Sequence, residues 1–131
     1  MNKVLIVDDE DLVSLGLARV LRRHDRDIRC AKSAEEALEA LAECPYGLCF
    51  LDVRLPGMSG LEALAHIRER SPHTRIAMMS AGYLSPEDEA AISRQAHYFV
   101  GKPFDVSFVR SIAEEAMGPP PTPGQTSSSD T

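Results

Sequence analysis

Acidic, hydroxyl and ammonium side chains stand at the ends of short apolar runs in this chain, and their types suit hard-metal and phosphate chemistry. Asp8-Asp9-Glu10 follows Lys3-Val-Leu-Ile-Val7, Asp52 follows Leu48-Cys-Phe-Leu51, Ser80 follows Ile76-Ala-Met-Met79, and Lys102 opens Lys102-Pro103-Phe104. Carboxylates gathered on one surface repel one another, and the physical remedies are a raised pKa or a bound cation. Oxygen ligands open to water suit a hard ion, and a site with few protein ligands suits Mg2+, which keeps several waters and accepts phosphate oxygens. A hydroxyl donor and an ammonium are what a phosphoryl group on Asp52 needs, because its charge is spread over its oxygens. Taken singly, each feature has a plainer reading. The acidic triplet opens a helix at its positive end, Asp52 leads into the turn Pro56-Gly57-Met-Ser-Gly60, Ser80 ends a strand and Lys102 is a surface lysine. Only their convergence on one rim gives them chemical force.

The elements between these residues predict that convergence. Short β-branched and apolar runs near 3–8, 27–30, 47–52, 75–80 and 97–100 read as strands, and a segment of helical period follows each of them. Leu12, Val13, Leu17, Val20 and Leu21 mark the first helix, and Ala37, Leu38, Leu41 and Ala42 the second. Ser33 with Glu36 and Ser59 with Glu62 have the capping-box spacing, Ser85-Pro86 opens a fourth helix, and Asp105 caps a fifth that ends near Gly118. The alternation predicts a doubly wound α/β fold, a (βα)5 chain with a five-stranded parallel sheet in the flavodoxin-like order 2-1-3-4-5. In that order ligands bind at the carboxyl ends of the first and third strands, where Asp8, Asp9 and Asp52 stand.

Composition narrows the function classes. The chain has 131 residues with a net charge of -6, which fits one domain over residues 1–118 and argues against direct contact with nucleic acid. The apolar runs are too short for a membrane span or a signal peptide, so a cytoplasmic protein is expected. Cys30, Cys44 and Cys49 have neither disulfide nor zinc spacing and read as reduced, mostly buried thiols. Residues 119–131, rich in Pro, Ser and Thr, read as a disordered tail or the stub of a linker.

Val7-Asp8-Asp9-Glu10, Asp52 with Pro56-Gly57, Ser80-Ala81 and Lys102-Pro103-Phe104 together resemble the receiver domain of two-component response regulators, over about residues 3–117. The resemblance implies a signalling switch in which Asp52 accepts a phosphoryl group from a phosphohistidine of a sensor kinase or histidine phosphotransfer protein. It implies that Asp9 and Asp52 bind Mg2+ directly, that Asp8 acts through a metal-bound water, and that the Arg54 backbone carbonyl adds a ligand. Lys102 would pair with the phosphoryl oxygens or with Asp52, and Ser80 would hydrogen-bond the attached group. The Lys102-Pro103 peptide would be cis. Phe99 matches the family's switch aromatic, a role compatible with its plainer reading as an ordinary strand core residue, and Tyr98 would face the other side of the strand. The fourth helix, fifth strand and fifth helix would form the surface that meets a downstream target or output domain, with a phosphorylation-dependent dimer as one outcome. The fourth helix has only Ala90, Ala91 and Ile92 as an apolar face, which suits a movable element.

In the same family, positions matching Arg54 and Gly82 tune the access of water to the phosphoryl group. Arg54 either lies over that group or is a solvated surface residue. His24, His66, His73 and His97 are scattered without metal spacing, so the donor histidine is expected on another protein. A Mg2+-dependent aspartyl-phosphate phosphatase is the enzyme alternative, but Asp52-Val53-Arg54 lacks the second Asp of its D-x-D motif. A flavodoxin-like electron carrier would need an anion-binding loop where Asp8-Asp9 stands. The receiver half of a larger DNA-binding regulator is the other alternative, and catalysis beyond self-phosphorylation and self-dephosphorylation is not expected.

Overall fold

The computed structural model describes residues 2–118, and the tail expected over 119–131 lies outside the described residues. Strands and helices alternate as β1 (Lys3–Val7), α1 (Asp11–Leu21), β2 (Asp27–Ala31), α2 (Ala34–Glu43), β3 (Leu48–Asp52), α3 (Gly60–Arg70), β4 (Arg75–Ser80), α4 (Pro86–Gln95), β5 (Tyr98–Gly101) and α5 (Val106–Met117). The sheet is parallel throughout, in the order β2-β1-β3-β4-β5. The flavodoxin-like topology expected from the alternation is therefore the observed one.

Strand alternation divides the core between the two faces of the sheet. Val4 and Ile6 of β1, Leu48 and Phe50 of β3 and Ala77 and Met79 of β4 pack with α1 and α5. Leu5 and Val7, Cys49 and Leu51, and Ile76 and Met78 pack on the other face with α2 and α3. Burial on both faces explains why these strands read as continuous apolar runs, and each fully buried Leu, Ile or Phe contributes about 1.5–3 kcal/mol. The edge strand β2 is different, with its sole buried residue at Ala31. Cys30 is accordingly exposed and Cys44 half-buried, so the thiols are less buried than the expected mostly buried set, with Cys49 alone fully inside. Burial pushes the Cys49 thiol up to about 12, which keeps it protonated and unreactive.

Two helical faces differ from the sequence reading. On α1 the buried residues are Ser14, Leu17 and Leu21, whereas Leu12 is 86% exposed. Ser14 holds the inward position because its hydroxyl reaches the Asp8 carbonyl at 3.5 Å, a satisfied polar group in an apolar stripe. On α2 the inward positions are Ala34, Ala37 and Ala40, with Leu38 and Leu41 packed at their flanks and Ala42 exposed.

Caps fix the helix starts. Ser59 and Glu62 form the full reciprocal capping box. At Ser33 only half of it forms, because Glu36 accepts from the Lys32 N–H at 2.9 Å instead of the cap residue's own. Ser85 caps α4 ahead of Pro86, and Asp105 accepts from Ser107 and Phe108 at the start of α5. That last helix ends at Gly118, whose φ of +94° suits glycine.

One close approach ties this framework to the rim. The Gly60 N–H donates to the Val53 carbonyl at 2.9 Å, and a Cβ on Gly60 would collide with the Asp52 carbonyl and stand 3.0 Å from Val53 Cα. Glycine at this helix start lets α3 press directly on the backbone that carries Asp52. Gly60→Ala should destabilise the protein by about 2–3 kcal/mol, as overpacking against backbone does. Gly101→Ala, whose Cβ would meet nothing within 4 Å, serves as the control. Urea unfolding checks the pair, and equal midpoints would refute the close-packing argument.

Candidate metal and phosphoryl site

The rim is built from strand ends. Register pairs Val7 with Leu51, and Asp52 with Met79, so Asp8, Asp52 and Ser80 follow or end three adjacent strands. All three are almost fully buried, at 0%, 6% and 4% exposure, while Asp9 is exposed. Asp8, Asp9 and Asp52 each present an oxygen within 4.8 Å of the others'. Asp8 Oδ1 accepts from the Glu10 N–H at 2.9 Å, which fixes the carboxylate. Its Oδ2 lies 2.8 Å from Lys102 Nζ yet makes no directed hydrogen bond, so lone pairs remain for a cation. The acidic triplet is thus more than a helix opening. Glu10 sits at the N-cap of α1 without capping it through its side chain, and Oε1 reaches Lys102 Nζ at 3.2 Å.

Lys102, just beyond β5, is shared by three carboxylates. Its ammonium lies 2.8 Å from Asp8, 3.2 Å from Glu10 and 3.3 Å from Asp52. The expected pairing with Asp52 is present, but Asp8 is nearer, and Glu10 is a neighbour that the sequence reading did not assign to the lysine. Burial works against the Lys102 charge. Its ion pair with Asp8 and the charge of Asp52 outweigh that and raise its pKa. The Asp52 pKa is also raised, first by burial and then by the charge of Asp8, against the opposing pull of Lys102. Three carboxylates on one ammonium, with Asp9 beside Asp8 and Asp52, leave a negative excess, the condition that a divalent cation relieves. The Lys102–Pro103 peptide is cis.

Arg54 is exposed, as its reading as a surface residue expects, but its side chain is held by specific contacts. Its guanidinium crosses to the β4–α4 loop, where Nη1 donates to Ser80 Oγ at 3.4 Å and Nη2 to the Tyr83 carbonyl at 2.8 Å. Gly82 leaves room for the crossing, since a Cβ there would stand 3.3 Å from Arg54 Nη1 and make the guanidinium shift slightly. Ser80 Oγ also donates to the Gly82 carbonyl and accepts from the Gly82 N–H, both at 3.3 Å. A signal for this contact was present in the sequence, namely a long donor side chain two residues beyond Asp52 and a glycine two beyond Ser80. Phe99 is 43% exposed, so its reading as a core residue fails. It lines a cavity of about 410 Å³ with Tyr83, Leu84 and Ile92. Tyr98 packs on the opposite face, against the cluster of α1 and α5.

Comparison with known proteins identifies the family to which this fold belongs. The family model of the response regulator receiver domain matches residues 4–114. The chemotaxis protein CheY of Listeria monocytogenes is 34% identical over 119 residues, which cover 88% of this chain and 98% of CheY. The response regulator protein PilR of Pseudomonas aeruginosa is 37% identical over 116 residues, covering 88% of this chain and 26% of PilR, so the chain spans about a quarter of that relative. The crystal structure of the receiver domain of NtrX from Brucella abortus superposes with a TM-score of 0.77 at 32% identity, covering 87% of this chain and 97% of that one.

The raised Asp52 pKa has a consequence for stability. Above that pKa the folded protein holds a charge that the unfolded chain carries more favourably, so Asp52 lowers stability there. The penalty fades as pH falls through the folded pKa and is gone below the ordinary value of 3.8. In EDTA at neutral pH, Asp52→Asn should raise the thermal midpoint by roughly 2–6 °C, the scale of about 1 kcal/mol for a domain of this size. Thermal melts of both proteins from pH 7 down to acid check this. An unchanged or lower midpoint for the variant at neutral pH would refute it.

Proposed function

The chain belongs to the family of response regulator receiver domains, and on that premise we propose that Asp52 is its phosphoacceptor and that phosphorylation there requires Mg2+. The observation that carries the proposal is the placing of the Asp52 carboxylate. It lies within metal-sharing distance of Asp8 and Asp9 on one side and 3.3 Å from the Lys102 ammonium on the other. Asp9 and Asp52 would give the ion direct oxygens, Asp8 would act through a bound water, and the Arg54 backbone carbonyl would be a further ligand. Bound there, Mg2+ neutralises the carboxylate repulsion and the charge of the incoming phosphoryl oxygens.

An Asp52 carboxylate oxygen attacks the phosphorus of a phosphohistidine on a sensor kinase or phosphotransfer protein. The P–N bond breaks, its electron pair stays with the imidazole, and Asp52 becomes an acyl phosphate. Lys102, already shared among carboxylates, turns its N–H groups to the new phosphoryl oxygens. Ser80 leaves its contacts with Arg54 and Gly82 to donate to the same group. Because Arg54 joins Ser80 to the Tyr83 carbonyl, this exchange loosens the loop ahead of α4. The loop has little else to resist it, since Ile92 is the only buried residue of α4. Phe99 turns inward behind Ser80, and the surface of α4, β5 and α5 changes for a downstream protein or output domain. The chain acts as a switch and catalyses only its own phosphorylation and dephosphorylation, in the cytoplasm where such kinases work. Among the described residues no helix is long and apolar enough to cross a membrane.

Acetyl phosphate with Mg2+ should add one phosphoryl group to the wild type and none to Asp52→Ala or to a sample in EDTA, as read by intact mass. Addition to Asp52→Ala would place the acceptor elsewhere, and no addition to the wild type under any donor would leave a receiver fold without its reaction. Arg54→Ala should change the decay rate of the phosphorylated protein by at least about twofold. Identical decay would remove Arg54 from the switch.

A further inference from the structure

At the opposite edge of the sheet from the carboxylates, five of the chain's fourteen Lys and Arg residues surround one cavity. Arg19 and Arg22 close the end of α1, Arg23 and Arg26 lie on the loop to β2, and Arg110 with Glu114 comes from α5. Together they line about 260 Å³. Arg23 uses Nε and Nη2 in a fork on Asp25, at 2.8 and 2.7 Å, while its Nη1 is buried without an acceptor. Arg26 Nη1 donates to the Leu21 carbonyl at 2.7 Å, and its Nε is likewise buried without an acceptor. Arg19, Arg22 and Arg110 make no ion pair among the described residues.

Cations at the end of α1 gain from the helix macrodipole, which accounts for Arg19 and Arg22. It does not account for two buried N–H groups with nothing to donate to, each a cost of about 1–3 kcal/mol. Burial, and then the neighbouring charge of Arg23, disfavour the charged form of Arg26. A guanidinium does not discharge to escape such a place. Its positive charge therefore stays beside those of Arg19, Arg22, Arg23 and Arg110, and an anion lowers the repulsion among them.

We propose that this cavity binds an oligophosphate anion, two or three linked phosphates whose oxygens accept from the exposed guanidiniums of Arg19, Arg22 and Arg110, with the half-buried Arg23 and Arg26 adding positive charge beneath them. The cationic groups are all Arg, whose planar fork pairs with two phosphate oxygens at once, where Lys offers only a point charge. Five guanidiniums against Asp25 and Glu114 call for more than one negative charge in the ligand. The cavity is smaller than the roughly 300–1,000 Å³ usual for drug-sized ligands, and no aromatic side chain lines it to stack on a base. The recognised group is therefore the phosphate chain, either free or as the end of a nucleotide. The site stands apart from the acidic rim and does not rest on the phosphoacceptor reading.

Isothermal titration of inorganic triphosphate into the full chain, in EDTA without Mg2+, tests the proposal, because anions are then repelled from the carboxylates. ATP and an ionic-strength-matched chloride control are run in parallel. One saturable site is expected, weakened at least about tenfold in Arg22→Gln/Arg110→Gln, a change of about 1.4 kcal/mol or more, and unaltered in Asp52→Asn. Equal affinity for triphosphate and ATP assigns the site to the phosphate chain alone, and tighter ATP binding assigns it to nucleotides. Both support the site. If the double variant melts early, Arg110→Gln alone should still weaken binding measurably. No saturable binding beyond the chloride control, or equal binding by the variants, would overturn the proposal.

Discussion

Like charge held together against its own repulsion is the constraint on which the rim depends. Asp8 and Asp52 cannot relax away from one another, because each is attached to the end of a central strand buried on both faces. The register that pairs Val7 with Leu51 determines how near they stand, and the apolar layers above and below the sheet determine that it cannot slip. Lys102 offsets part of the repulsion and is itself held by it. It lies among three carboxylates, within 3.3 Å of each. Such a rim costs stability through the charge of Asp52, which burial and Asp8 disfavour. The core supplies the stability that the site gives up.

Rigid and yielding parts of the site are assigned to different elements. The carboxylates stand on β1 and β3, whose inward side chains are fully buried, and α3 presses on the Asp52 backbone through Gly60. Ser80 leads instead into an exposed loop and then into α4, with one buried residue. Arg54 is the one long side chain described as joining the two parts, bonded at its backbone N–H to Asp52 Oδ1 at 3.5 Å and at its guanidinium to Ser80 and the Tyr83 carbonyl. A change at Asp52 is therefore felt in the loop through contacts already made. The loop can move because little apolar area holds it.

The alternation of strand and helix, and the rim that it implies, were legible in the sequence because buried parallel strands have an unbroken apolar signature and their ends are marked by polar residues. What a residue does within an element was less legible. Leu12 counts as apolar in any pattern, yet it lies about 100° around α1 from its neighbour Val13 and faces water. Ser14, polar in type, sits in the buried stripe because a carbonyl is within reach of its hydroxyl. The sharing of Lys102 among Asp8, Glu10 and Asp52 could not be read from spacing, since the loop after β5 decides where its ammonium comes to rest. For Arg54 the long side chain and the glycine two beyond Ser80 were visible, but its end point on the Tyr83 carbonyl is decided by the course of the β4–α4 loop.

The net charge of -6 conceals a separation that the fold creates. Parallel strands gather residues that follow them at one edge and residues that precede them at the other, so a βαβ chain sorts its loops into two sets by their order alone. Here the loops after the strands carry Asp8, Asp9, Glu10 and Asp52, and the opposite edge receives Arg22, Arg23 and Arg26 ahead of β2. A helix of eleven residues such as α1 spans about 16 Å at 1.5 Å per residue, beyond the roughly 8–10 Å over which salt screens exposed charges. The two edges thus attract different ligands with little mutual cancellation. One gathers carboxylates in a cluster that suits a cation. The other gathers five guanidiniums against Asp25 and Glu114 and needs no bound ion to carry positive charge.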